Sequence, residues 1–159
     1  MRQTRREFLV IAGALGAAAT GSVRAQLPPD AEAQRKAQLQ EAIRKVTGGA
    51  PVREGRVKLD VPPLVDNGNA VPISVSVESP MTQAEHVRAI HVFTEKNPQP
   101  NIIGARLGPR AGQARIATRA RIADTGQVIA IAQMSDGSFW SDRVSVVVTL
   151  SACLEDGLI

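Results

Sequence analysis

The sequence predicts an all-β protein, an antiparallel β-sandwich preceded by one helix. Three observations carry this: short runs after Pro51 that alternate apolar and polar residues, turn-forming clusters between those runs, and a stretch before them rich in helix formers. Residues 30–46 read DAEAQRKAQLQEAIRKV, with Pro28 and Pro29 ahead, Asp30 as the expected cap and Gly48-Gly49 behind as a stop. Leu39, Ala42, Ile43 and Val46 recur at helical spacing and form a narrow apolar stripe that must pack on the domain or on a partner. In residues 71–77 the odd positions Val71, Ile73, Val75 and Val77 are apolar while Pro72, Ser74 and Ser76 separate them, as a half-buried strand requires. Residues 115–122 repeat the pattern, with Ile116, Ala120 and Ile122 on one side and Arg115, Arg119 and Arg121 on the other. Two further apolar runs, 128–134 and 144–150, complete the strands that periodicity identifies. Turn clusters stand between them at 66–69, 97–101, 108–109, 124–126 and 135–138.

The chain starts with MRQTRREFLVIAGALGAAATGSVRAQ, a basic start, an apolar run from Phe8 to about Ala19 and small residues before a cut. Arg5-Arg6 followed by Phe8 and Leu9 fits the twin-arginine pattern, and cleavage is expected after Ala25. The apolar run falls short of the roughly 20 residues of a membrane span. An uncleaved anchor is therefore the lesser alternative, and no membrane association is expected after signal removal. The expected organisation is a signal over residues 1–25, a helical segment over 26–50, a β-sandwich over 51–150 and a tail over 151–159. Cleavage leaves 134 of the 159 residues and removes four of 19 Lys and Arg but one of 15 Asp and Glu. The mature net charge falls from +4 to +1, which makes nucleic acid a poor partner. Twin-arginine export carries folded chains, and a folded passenger without a cofactor motif points to a partner acquired before export.

The tail holds the only cysteine, Cys153. One thiol in an exported chain cannot form an internal disulfide, so it is buried, reactive or paired with another chain. Along residues 143–150 the even positions Val144, Val146, Val148 and Leu150 form the apolar set. Continued alternation would put Cys153 on the opposite face, away from the core, beside a row that Val147 interrupts. A reactive or intermolecular thiol is the favoured reading. His86 and His91 lack metal-ligand spacing and carboxylate or cysteine companions, so each is expected to be structural, and no metal or other cofactor is expected. Phe139-Trp140 is read as core packing rather than a ligand platform. No nucleophile elbow, phosphate loop or paired carboxylate site is present.

Five strings in order then resemble the SoxY family, the sulfur carrier subunit of bacterial thiosulfate oxidation: GRVKLD at 55–60, VPPLVDNGNAVP at 61–72, VESPMT at 77–82, IHVF at 90–93 and AQMSDGSF at 132–139. The resemblance spans residues 48–150. It implies an immunoglobulin-like sandwich in the periplasm, paired with a SoxZ-like subunit. It also implies transient encounters with a c-type cytochrome, a dimanganese hydrolase and a sulfane dehydrogenase, and a carrier that catalyses nothing itself. The one working residue it carries over is Cys153, the covalent attachment point for sulfur. The family's tail is GGCGG, whereas this chain reads SACLEDGLI from Ser151. Leu154, Leu158 and Ile159 place bulk where a glycine arm has none, and Glu155 with Asp156 opposes thiolate formation by like-charge repulsion. Two other readings follow: a carrier-derived binding or assembly protein that no longer holds sulfur, and an enzyme using Cys153 as nucleophile with His86 or His91 as base.

Overall fold

The computed structural model describes residues 29–150, so the expected signal and the tail with Cys153 lie outside the described residues. Helix α1 (Pro29–Thr47) starts one residue before the expected cap, which places Asp30 inside the helix. It stops where Gly48 and Gly49 adopt φ of 64° and 83°, a left-handed conformation that favours glycine, and the Gly48 N–H closes the last turn on the Arg44 carbonyl at 2.8 Å. Nine strands follow: β1 (Val52–Glu54), β2 (Val57–Asp60), β3 (Leu64–Asn67), β4 (Val71–Val77), β5 (Val87–Thr94), β6 (Asn101–Arg106), β7 (Arg115–Ala120), β8 (Gly126–Met134) and β9 (Phe139–Leu150). No helix among the described residues is long and apolar enough to cross a membrane.

Two sheets face one another. The larger runs β1-β9-β8-β5-β6, with β3 also on β9, and the smaller runs β2-β4-β7. The four strand segments read from periodicity are all present. β4 buries Val71, Ile73, Val75 and Val77, and β7 exposes Arg115 and Arg119 while Ile116 and Ala120 turn inward. β7 ends at Ala120, yet Ile122 beyond it is buried and donates its N–H to the Gly68 carbonyl at 2.8 Å. β9 begins five residues before the expected start, straight after a tight turn in which Gly137 has φ of 84° and the Asp136 carboxylate accepts the Ser138 N–H and hydroxyl.

Most pairings are antiparallel, but β1 and β3 both join β9 in parallel, at opposite ends of the same edge. Between the sheets lies one apolar layer drawn from β2, β4, β5, β8 and β9. Each fully buried Val or Ile, such as Val75, Ile73 and Ile90, contributes about 1.5–3 kcal/mol. The outer face of the large sheet carries a second, smaller cluster. There the α1 stripe of Leu39, Ala42, Ile43 and Val46 packs on Phe93, Ile131 and Phe139. Helix, large sheet and small sheet therefore form three layers.

Candidate functional site: the end of β9

β9 carries the chain to the tail, and its last residues are held on both sides. Toward β3 the register pairs Leu64 with Val147, Val65 with Val148 and Asn67 with Leu150. The Val147 N–H donates to the Pro63 carbonyl at 2.8 Å, and the Thr149 hydroxyl donates to the Asp66 carbonyl at 3.1 Å. On the other side the Thr125 hydroxyl accepts the Val148 N–H at 2.9 Å. Asn67 ends the β3 pairing by turning its side chain to the Asn69 N–H at 2.9 Å, which caps a 3-10 turn over Gly68–Ala70. The point from which the tail departs is thus fastened by main-chain and side-chain hydrogen bonds together.

The alternation expected along β9 holds within the described residues. Val146 and Val148 are buried, whereas Arg143, Ser145, Val147 and Thr149 are exposed. Cys153 itself lies outside the described residues. The structure adds something that periodicity passes over: Val147, the apolar break in the polar row, meets Leu64, also exposed, across the β3–β9 pairing. The signal was in the sequence as that break, but its partner on β3 was not.

The two histidines serve local structure. His86 Nδ1 lies 3.0 Å from the Thr82 carbonyl, and a carbonyl only accepts, so Nδ1 carries the proton. The His91 ring lies against Gly104, where a Cβ would stand 3.4 Å from Nδ1, and it tilts against Phe93 with centroids 6.2 Å apart. Nδ1 of His91 lies 3.3 Å from the Asn101 side-chain amide. Burial pushes the His91 pKa below its ordinary value; the Asn101 contact opposes this and the Arg106 cation adds to it. Among the described residues no three His, Cys, Asp or Glu side chains gather into a metal-binding set.

Phe139 is buried under α1, as core packing requires, while Trp140 lies at the rim of the main core. The guanidiniums of Arg53 and Arg56 stand 5.7 and 5.6 Å from the Trp140 ring centroid, within cation–π range. Arg56, at φ 55°, also bonds Glu85. At the adjacent turn the Ser138 hydroxyl and N–H hold the Asp136 carboxyl below its usual range. This basic rim belongs to the start of β9, eleven or more residues from the tail.

A sequence profile described as sulfur oxidation protein SoxY matches residues 43–153, so the match closes on the cysteine and leaves residues 154–159 beyond it. Among solved structures, the sulfur carrier protein SoxY from Chlorobium limicola f thiosulfatophilum is similar at 25% identity with a TM-score of 0.61, over 72% of this chain and 99% of that one. Superoxide reductase (neelaredoxin) from Ignicoccus hospitalis shares the fold at 19% identity and a TM-score of 0.53, over 59% of this chain and 80% of that one. The crystal structure of a putative superoxide reductase from Thermotoga maritima does so at 20% identity and 0.51, over 62% and 87%. No curated protein sequence matches the chain. With a profile match over more than two thirds of its length, the chain belongs to the SoxY family.

Proposed function

We propose that this protein is a periplasmic sulfur carrier that holds thiosulfate-derived intermediates covalently on Cys153, as a heterodimer with a SoxZ-like subunit. The observation that supports this best is the family match, which extends to the one cysteine of the chain. Loading joins the Cys153 thiolate to the outer sulfur of thiosulfate in a new S–S bond. The thiol proton goes to solvent and two electrons go to a c-type cytochrome partner. The remaining steps, hydrolysis of the terminal sulfonate as sulfate by a dimanganese hydrolase and oxidation of the retained sulfur by a sulfane dehydrogenase, belong to those partners. The carrier supplies only the thiol and a fixed mount for it, and catalyses nothing itself. That mount is the end of β9, which is bonded to β3 on one side and to Thr125 on the other.

The test is the intact mass of the mature protein, purified with its partner from cells oxidising thiosulfate, before and after reduction. A reductant-sensitive sulfur adduct on Cys153, absent in Cys153→Ser while pairing persists, is the expected result. Loading that survives in Cys153→Ser would overturn the reading. The tail favours a second reading, because residues 154–159 fall outside the family match and carry side chains in place of glycine. A bare thiol under the same conditions would make the protein a SoxY-derived binding or assembly subunit.

A further inference from the structure

The large sheet ends in β6 and the small sheet in β7, and among the described residues no strand pairs with the outer edge of either. The chain between them crosses from one sheet to the other, and Asn101 and Ile102 of β6 line one cleft with Arg119 and Ala120 of β7. Both free edges therefore lie on one side of the sandwich. Residues 101–123, which run through both, hold five arginines and no Asp, Glu or Lys. Arg106, Arg110, Arg115 and Arg119 are exposed and take part in no ion pair among the described residues.

On β7 the register leaves that charge unanswered. Arg115 faces Ser76, Ala117 faces Ser74 and Arg119 faces Pro72 on β4, so the strand already paired brings no carboxylate opposite either cation. Arg115, Ala117 and Arg119 share one face by alternation, and all three are exposed. The free edge adds a row of main-chain N–H and C=O groups. A lipid surface would answer the arginines but not those groups, whereas an extended protein segment answers both, with ladder bonds from its backbone and bidentate carboxylates from alternate side chains. A second copy of the same edge would set arginine against arginine. The edge also stands close to the end of β9. The Gly68 carbonyl accepts the Ile122 N–H and Ala120 pairs with Val71, while Asn67 pairs with Leu150, so one turn, Gly68–Ala70, separates the end of β7 from the point where the tail departs.

We propose that the outer edge of β7 docks an acidic, extended segment of a partner protein by strand addition, with carboxylates of that segment on Arg115 and Arg119 and with Arg106 and Arg110 widening the positive field that draws it in. A partner held there sits beside the end of β9. This does not depend on what Cys153 carries, and it is tested on the unloaded, reduced mature protein. The probe is a blocked peptide of about eight residues alternating Glu and Thr, the length of an ordinary strand. Amide NMR shifts locate its binding and fluorescence anisotropy of a labelled copy gives its affinity. Shifts should centre on residues 115–120, and affinity should fall as ionic strength rises from about 0.01 to 0.15 M. Arg115→Gln/Arg119→Gln alters only exposed side chains and should weaken binding about five-fold or more. A peptide with the same charge but proline in place of threonine cannot donate the ladder bonds and should bind more weakly still. Absence of binding, shifts centred elsewhere, or an affinity untouched by the double variant would overturn the proposal. Equal binding of the proline peptide would overturn strand addition, and binding of phosphatidylglycerol vesicles without binding of the peptide would assign the arginines to a lipid surface instead.

Discussion

Asp142 sits on β9 between the stretches covered by β1 and β3, and its two oxygens are both engaged. Oδ2 accepts the backbone N–H of Leu59 on the opposite sheet at 2.8 Å, while Oδ1 accepts that of Arg143 at 2.8 Å. Leu59 is buried, so Asp142→Ala strands its N–H and should cost about 1–3 kcal/mol, whereas Asp142→Asn keeps an acceptor and should retain most of the stability. Urea midpoints followed by Trp140, the only tryptophan, make the comparison; equal losses in the two variants would deny the hydrogen bond its role. His91 gives a second expectation. Because burial lowers its folded-state pKa, the unfolded chain takes up the proton first as pH falls through about 6.5. The stability His91 contributes is full above that pH and is lost toward the lower folded value. His91→Gln should therefore show a shallower loss of stability than the parent as pH falls below about 6.5, and parallel slopes would contradict the assignment.

At the scale of elements, α1 shows what local pattern can and cannot reveal. Its stripe was legible because an amphipathic helix on a surface keeps its period, and the stripe finds its match in Phe93, Ile131 and Phe139. Leu39→Ala should cost about 2 kcal/mol or more and speed amide exchange in α1 ahead of the sandwich. Uniform acceleration through both would mean that the helix is not a separable layer. β4 was legible for a related reason, since one of its faces meets the core and the other meets solvent. β5 was not, because α1 covers one face and the small sheet the other, so Ala89, Ile90, Val92 and Phe93 are all buried and alternation disappears. The three-residue β1 and four-residue β3 are too short to show a period, and their parallel pairing to β9 depends on distant chain. The start of β9 hid its period because Ser141, although buried, bonds its hydroxyl to the Arg53 carbonyl and Asp142 accepts the Leu59 N–H, so polar side chains follow Phe139 and Trp140.

For the whole molecule, the sandwich is shared with superoxide reductases as well as with a sulfur carrier, so fold alone would not have separated carrier from enzyme. Composition did more, since counting cysteines singled out Cys153, while the Leu64–Val147 pair beside its point of departure needed three-dimensional register to appear. The expected export route belongs at this scale too. Arg5→Lys/Arg6→Lys should leave the 159-residue precursor in the cytoplasm, while the parent matures to 134 residues in the periplasm, as cell fractionation and intact mass would show. A processed variant in the periplasm would point to another route. The pairing of β9 also has a mechanical meaning. Sheet hydrogen bonds run across the strands, and β9 is bonded to β8 from Phe139 to Val146 and to β1 and β3 on its other edge. Tension applied through the tail acts along the strand and loads those bonds together in shear, not one after another as in an opening zipper. A partner that grips the tail can therefore pull on it without unravelling the domain behind it.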